Sequence, residues 1–543
     1  MSSNGQERAR LVALLWSLKQ TAGKKSLPGV PYIHFNMLLR QPEYRREIIQ
    51  AAQQSEHDEI RHIAEQAAAL DRDDISLLNP DDKRWLEQRD QDLARAYANE
   101  LQQAGRQKQR YALIAISLLG ALVLTVISII LYPRLDGETV VTGAISSDQR
   151  WGAEQQYILD ELVMVEPGVT LSIEPGAIIR GRAGSALVIM RGGKLHAKGT
   201  ASRPILFTSD QNPGSRQPGD WGGVVLLGSA PINWGAAMIE GFAVGDPRGA
   251  YGGSDAAYSC GVLEYVRIEF AGFEALANQE LNGLTLGGCG EQTIVRNIQV
   301  HRALDDGIEI FGGSVNLSRI VITQTGDDGL DWDEGWRGNA QFVIVQQTES
   351  GDNAFEGDNQ QADGRSGTEN AEPRSRPTIY NATLIGGPSG AQRAMSLRSG
   401  SGGRFSNIMA LNFPLDFADL SGLVTPQLSQ SDELFFDAIL LHRVGPNRTG
   451  FSAELDDEND DGGFDELEYF LATSTRLLEE PRLRMPLTSS LIEPDWVPTG
   501  QLIATWPKPP SGEFWDEAAT YPGAVAPGEE QPWYQGWTEF PRN

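Results

Sequence analysis

Three stretches decide the fold: "VRNIQVHRALDDGIEIFGG" (residues 295–313), "LSRIVITQTGDDGLDWDEG" (317–335) and "AQFVIVQQTESGDNAFEGDN" (340–359). They share one plan: an apolar-alternating strand, a polar turn, then two acids or an acid and Asn, a small residue, an apolar residue and another acid. Asp306 to Asp328 is 22 residues and Asp328 to Asn353 is 25. A period of that size is one turn of a β-solenoid. No single turn can bury its inner face, so the turns must stack into a column with a continuous apolar core. Stacking sets corresponding residues about 4.8 Å apart.

Further coils read outward on both sides. "GVLEYVRIEFAG" (261–272) precedes the triplet, and "PTIYNATLIGG" (377–387) and "GGRFSNIMALNF" (402–413) follow it. "YILDELVMVEPGVTLSIEPGAIIRG" (157–181) and "ALVIMRGGKLHAKGTASRPILFTSD" (186–210) look like the first coils, with Pro-Gly and Gly-Gly at the corners. A β-sandwich would show hairpin turns and closer strand spacing. The chain is therefore expected to be mainly β, with a parallel β-helix over residues 133–480. A Trp/Pro-rich segment, 481–543, is expected to cap the column through Trp506, Trp515, Trp533 and Trp537.

"GDWGGVVLLGSAPIN" (219–233), "ELNGLTLGGCG" (280–290), "DDGIEIFGGSVN" (305–316) and "FWDEAATYPGAVAPGEEQPWYQGWTEF" (514–540) carry a resemblance. Over about residues 140–543 the chain is similar to a large, poorly characterised family of bacterial exported or surface β-helix proteins, many of them lipoproteins. The resemblance implies a right-handed parallel β-helix outside the cytoplasm and brings no catalytic residues with it. Most relatives use a lipidated cysteine or a sorting tail, whereas here an N-terminal domain and an apolar segment stand in that place.

That apolar segment, "ALIAISLLGALVLTVISIIL" (112–131), holds no charge and is long enough to cross roughly 30 Å of hydrocarbon as a helix. Residues 111–132 are read as one transmembrane helix. Arg106, Lys108 and Arg110 flank one side and only Arg134 the other, so the positive-inside rule puts residues 1–110 in the cytoplasm. The expected location is a bacterial inner membrane, with the β-helix periplasmic or extracellular. Residues 1–110 read as a small α-helical domain with an unknown partner, apolar residues recurring at helical spacing in "EYRREIIQAAQQSEHDEIRHIAEQAAAL".

The net charge of −28 belongs to the external part, because residues 1–110 carry 17 basic and 16 acidic side chains. Such a surface repels nucleic acid and favours cations. The external partner is expected to be a polysaccharide or an envelope protein. Two cysteines, Cys260 and Cys289, exclude a multi-cysteine metal site. They sit near equivalent corners of adjacent turns, as a disulfide or as buried free thiols.

Stacking aligns Asp305, Asp327 and Asp352 in one file, Asp306, Asp328 and Asn353 in a second, and Glu309, Asp331 and Glu356 in a third. Alternation turns Ile308, Leu330 and Phe355 inward and their acidic neighbours outward. Two carboxylates about 5 Å apart repel by roughly 1 kcal/mol in water and about 3 kcal/mol at an effective dielectric near 20. Calcium, bound by oxygens at about 2.3–2.6 Å, could bridge Asp305, Asp306, Asp327, Asp328 and Asp352 across adjacent turns. Solvated turns and a catalytic set of Asp306, Asp328, Glu309, Asp331 and His301 are the other readings. His301, Arg302 and Trp332 could line a groove beside the ladder. A base is scarce: no lysine lies between Lys198 and Lys508, and the histidines beyond the apolar segment are His196, His301 and His442.

A second cation signal is "DDENDDGGFDELE" (456–468). Asp457, Asn459, Asp461, Gly463, Asp465 and Glu468 fit positions 1, 3, 5, 7, 9 and 12 of an EF-hand-type calcium loop over 457–468. These readings favour a single-pass envelope protein with a calcium-stabilised β-helix as binding or structural module. The alternative is a polysaccharide hydrolase or lyase.

Overall fold

A computed structural model describes residues 137–543 except 243–245, 273, 277–278, 349–350, 360–367, 388–391, 447, 449, 452–460, 462, 474–475, 479, 486–493 and 501–505. N-terminal to these it describes 10–11, 14–15, 17–18, 21, 42–55 and 57–71. The chain divides into two units, Met1–Asp136 and Gly137–Asn543. The apolar run 112–131 lies outside the described residues; among those described, no helix is long and apolar enough to cross a membrane.

In the first unit, helices Pro42–Gln53 and Asp58–Leu70 pack Ile48, Ile49 and Ala52 against Ile60, Ala64 and Ala67, together with Leu11, Leu15 and Leu18. Apolar residues three and four apart make one stripe on each helix, which is what an amphipathic pair needs to bury. On Asp58–Leu70, His62 Nε2 hydrogen-bonds Gln66 at 2.7 Å on the exposed side.

The second unit is a parallel β-helix. Long strands stack one coil upon the next: Gly261–Glu269, Ile294–His301, Asn316–Thr323, Asn339–Gln346, Thr378–Ile385, Gly403–Leu411 and Leu434–His442. Short strands form a second stack: Val224–Leu227, Leu284–Gly287, Ile308–Phe311, Leu330–Asp333, Phe355–Gly357, Met395–Leu397 and Ala418–Leu420. Every pairing in both stacks is parallel, as the period requires. Ile308, Leu330, Phe355, Met395 and Ala418 stand in register and fill one core with Leu263, Ile298, Ile320, Val343 and their successors.

Each long strand breaks in its middle at a left-handed residue: Tyr265, Asn297, Arg319, Phe342, Asn381, Asn407 and Ala438 all have φ between 51° and 64°. There the strand bends and one sequence run serves two directions of the column. Asparagine tolerates this conformation, while the others hold it at roughly 1–2 kcal/mol each, offset by the packing around them.

The described residues of the tail lie along a flank of the column, where the sequence led to the expectation of a cap. Trp496, Val497, Trp506, Ala519, Ala524, Val525 and Tyr534 lie along a flank, on Val321, Phe342, Ile344, Ile385, Met409, Leu411 and Leu440 of successive coils. Asn381 Nδ2 donates to the Ala519 and Tyr521 carbonyls at 3.1 and 2.8 Å, and Asn407 Nδ2 to that of Pro507 at 2.9 Å. The reason is chemical: the outward apolar residues of five coils form a stripe that only a long apolar segment can cover. The helix Glu466–Thr473 instead closes the core, its Phe470 stacking on Phe451 and meeting Phe417 and Phe436.

Candidate functional site

The acid pairs stand where each coil turns from a long strand into a short one. Glycine follows them because the coils approach closely: a Cβ on Gly307 would lie 2.6 Å from the Gly329 carbonyl oxygen, and one on Gly329 2.6 Å from that of Ala354. The second file then links coil to coil. Asp306 Oδ1 accepts from the Asp328 N–H at 2.8 Å, and Asp328 Oδ1 from the Asn353 N–H at 2.5 Å.

The files fall as the spacing predicts. Glu309, Asp331 and Glu356 are paired in register. Asp327 and Asp352 are exposed, Asp305 is half-buried, and Asp306, Asp328 and Asn353 are buried. Three groups of side chains bring one oxygen each within 4.8 Å of the others: Asp305, Asp306 and Asp327; Asp306, Glu309 and Asp331; Asp327, Asp328 and Asp352.

The ladder departs from expectation in its depth. The third file does point away from the core, yet Asp331 is only 7% exposed. A distant excursion covers this side: Ile232, Ile239, Phe242 and Tyr251 pack on Val225, Leu227 and Phe311, and the Tyr251 hydroxyl donates to Glu334 Oε2 at 2.7 Å. Asn282 Nδ2 donates to Glu309 Oε2 at 2.5 Å. Asp333 and Asp358 continue the acids along the short strands, so Asp306, Glu309, Asp328, Asp331, Asp333, Glu334, Glu356 and Asp358 share one buried or half-buried face. Among the described residues one guanidinium meets this face, Arg398, on Glu356 and on Asp358 at 2.8 Å.

Burial, then mutual repulsion, drives the protonation of this face. Asp306, Glu309, Asp328, Asp333 and Glu356 are held well above the usual carboxylate range by burial, with the neighbouring acids adding to it. Asp331 is pushed up to about 7 by burial and Asp358, against the pull of Arg398, and Glu334 to about 7 by burial. Asp331 Oδ1, Asn282 Oδ1, Asn353 Oδ1 and Asp358 Oδ1 are buried and accept no hydrogen bond. Oxygen-only donors of this kind suit a hard cation such as calcium rather than zinc or copper. Asp306, Glu309 and Asp331 with the Asn282 amide oxygen are the residues that could hold one.

His301 stands elsewhere. Its Nδ1 hydrogen-bonds the Thr323 hydroxyl at 2.7 Å, its Nε2 the Pro541 carbonyl at 2.9 Å, and burial pushes its pKa down to about 3. Arg302 reaches the Arg542 carbonyl, and Trp332 lies in the core against Trp336 and Phe405. The expected groove of His301, Arg302 and Trp332 does not form, because the tail covers the first two and the core takes the third.

Within the 457–468 segment, Asp457 and Asn459 lie outside the described residues. Asp461 Oδ1 accepts from the N–H groups of Gly463 and Phe464 at 2.8 and 3.1 Å, and Asp465 Oδ1 from that of Glu468 at 2.7 Å, at the start of the following helix. Cys260 and Cys289 form a disulfide between adjacent coils, Cα to Cα 5.7 Å.

Sequence reasoning missed Asn282, Tyr251, Asp333, Glu334, Asp358 and Arg398. A signal existed for two of them: "LDWD" and "FEGD" place Asp333 and Asp358 at the same step after Asp331 and Glu356.

A stack of parallel coils joined by two files of in-register parallel strands defines a parallel β-helix solenoid. The chain belongs to the family of pectate-lyase-like β-helix domains, whose model matches residues 143–459, more than half of its length. Neither a curated protein nor a solved structure matches it significantly.

Proposed function

We propose that the acid face binds calcium and that the protein is a membrane-anchored envelope module whose β-helix this ion stabilises. One observation carries the reading: Asp306, Glu309 and Asp331 bring oxygens within 4.8 Å of one another, Asp331 Oδ1 and Asn282 Oδ1 are buried without a hydrogen-bond donor, and with Arg398 the one guanidinium at this face among the described residues the ionised acids lack full counter-charge. A cation supplies it, and a polysaccharide acid or hydroxyl can complete the shell. The loop at 457–468 is the second calcium position of this reading. The uncharged run 112–131 supports the anchor, and the Cys260–Cys289 disulfide supports an oxidising compartment.

The test is the melting temperature of the full chain in calcium and in chelator. A ligand at a hundred times its Kd adds about 2.7 kcal/mol, a rise of several degrees. Paired Asp306→Asn and Asp331→Asn changes should raise the chelated melting temperature and cut the calcium increment to what the 457–468 loop supplies. Equal melting with and without calcium in the parent would sink the proposal.

A second reading is favoured by Asp331 near neutrality, where a carboxylic acid can donate a proton. It is an acidic-polysaccharide hydrolase or lyase using Asp306, Glu309, Asp328 and Asp331, for which the family gives analogy of fold alone. Turnover of a polyuronate, lost in Asp331→Asn with calcium binding retained, would favour it.

A further inference from the structure

At the opposite corner of the coils, where each short strand turns into the next long one, the charge reverses. Arg337, Arg376 and Arg404 line a cleft of about 250 Å³ with Thr378 and Asp432. They come from consecutive coils: the Arg376 N–H donates to the Trp336 carbonyl at 2.8 Å, and Thr378 pairs in register with Asn339 on one side and Arg404 on the other. All three guanidinium-bearing residues are exposed. The Arg376 stem crosses Gly402, where an added Cβ would touch its Cγ at 3.4 Å, and Arg404 lies over the Phe435 ring at 4.8 Å.

Several other arginines of the column are neutralised. Arg180, Arg182, Arg267, Arg296, Arg374, Arg393 and Arg398 each meet a carboxylate. Arg337, Arg376 and Arg404 make no ion pair with a described residue. In a chain of net charge −28, three stacked arginines with no ion pair among the described residues give this cleft a local excess of positive charge over its one lining carboxylate, Asp432.

We propose that this cleft is an oxyanion site for a tetrahedral anionic group, a phosphate or a sulfate. Guanidinium forks from three consecutive coils match several oxygens at once, the Thr378 hydroxyl adds a further donor, and the small volume suits one anionic group rather than a polymer. Asp432 in the lining disfavours a densely charged chain. The site is separate from the acid face and does not depend on calcium there.

The experiment is calorimetric titration of the full chain with inorganic phosphate and with inorganic sulfate, at ionic strength held constant with chloride. Saturable binding at one site per chain is expected. Arg376→Ala and Arg404→Ala should each weaken it roughly tenfold, as loss of a charge-assisted contact does, and Arg376→Lys should lose less. A sulfated monosaccharide binding at least as tightly as free sulfate assigns the group to a glycan ester; tighter free phosphate assigns it to the inorganic ion. No binding beyond the chloride control, or binding undiminished in an Arg376→Ala, Arg404→Ala double variant that melts like the parent, overturns the proposal.

Discussion

Two flanks of the same column solve the problem of their outward residues in opposite ways. On the tail-covered flank every coil offers a polar or apolar partner to the segment beyond residue 494: Gln299 donates to the Glu539 carbonyl at 2.6 Å, Gln341 accepts from the Asp516 N–H at 2.8 Å, and Trp496 Nε1 donates to Gln346 at 2.6 Å. On the acid flank the same stacking multiplies like charges, and buried oxygens of Asp331 and Asp358 find no donor. The tail-covered face, satisfied but for Trp506 Nε1 and Asn407 Oδ1, is a structural device. A face left incomplete in the same molecule is where a ligand has something to supply.

The largest way to break the satisfied flank is Trp496→Ala. This buried indole, T-shaped against Tyr534 and Phe540, should cost about 3–5 kcal/mol on denaturation. The acid flank should respond most to Arg398→Met, which leaves Glu356 and Asp358 without their cation. Breaking a buried pair costs roughly 3–5 kcal/mol, and Arg398 is part-exposed, so a loss of about 2 kcal/mol is expected in chelator. Calcium should recover part of it if the proposed ion is real; equal losses in chelator and in calcium would uncouple the two.

The smallest effect sharpens the contrast through pH. His301 is buried neutral with its pKa down at about 3, so between the ordinary value near 6.5 and 3 the unfolded chain binds a proton that the native one refuses. Stability on that account falls as pH drops through this window. The raised acids act with the other sign: the native face keeps protons that the unfolded chain releases above about pH 4, so chelated protein loses stability as pH rises towards 7 and beyond. His301→Gln should flatten the acid-side loss in melting scans from pH 6.5 to 4 and leave the rise-with-pH loss intact. An unchanged acid limb would show that His301 does not titrate beneath the tail, which lies over this flank as a strap.

Most of the architecture was legible because solenoid stacking is a local rule repeated. The 22- and 25-residue spacings placed Glu309, Asp331 and Glu356 in register, and two cysteines at equivalent corners proved to be bonded. What was not legible depends on segments far away in sequence. No period shows that Tyr251 and Asn282 would close over the acids, or that Arg398 would reach back to Glu356. His301 looked available beside an acid ladder because Thr323 and Pro541, its partners, are 22 and 240 residues away. Trp332 alternates with the acids and so belongs to the core, a consequence of period two that the groove reading overlooked.

The strap also fixes an order of events. Asn543 offers its carbonyl to the Gly214 N–H at 3.0 Å, so the tail runs back towards coils made some three hundred residues earlier. A chain delivered N-terminus first stacks those coils before their cover exists. Until the tail arrives, Val321, Ile344, Met409 and Leu440 stand as a bare apolar stripe, open to chaperones, proteases or a second nascent copy. The tail therefore works as a mark of completion: a product truncated before residue 494 keeps every coil and every acid, yet remains adhesive along its whole flank.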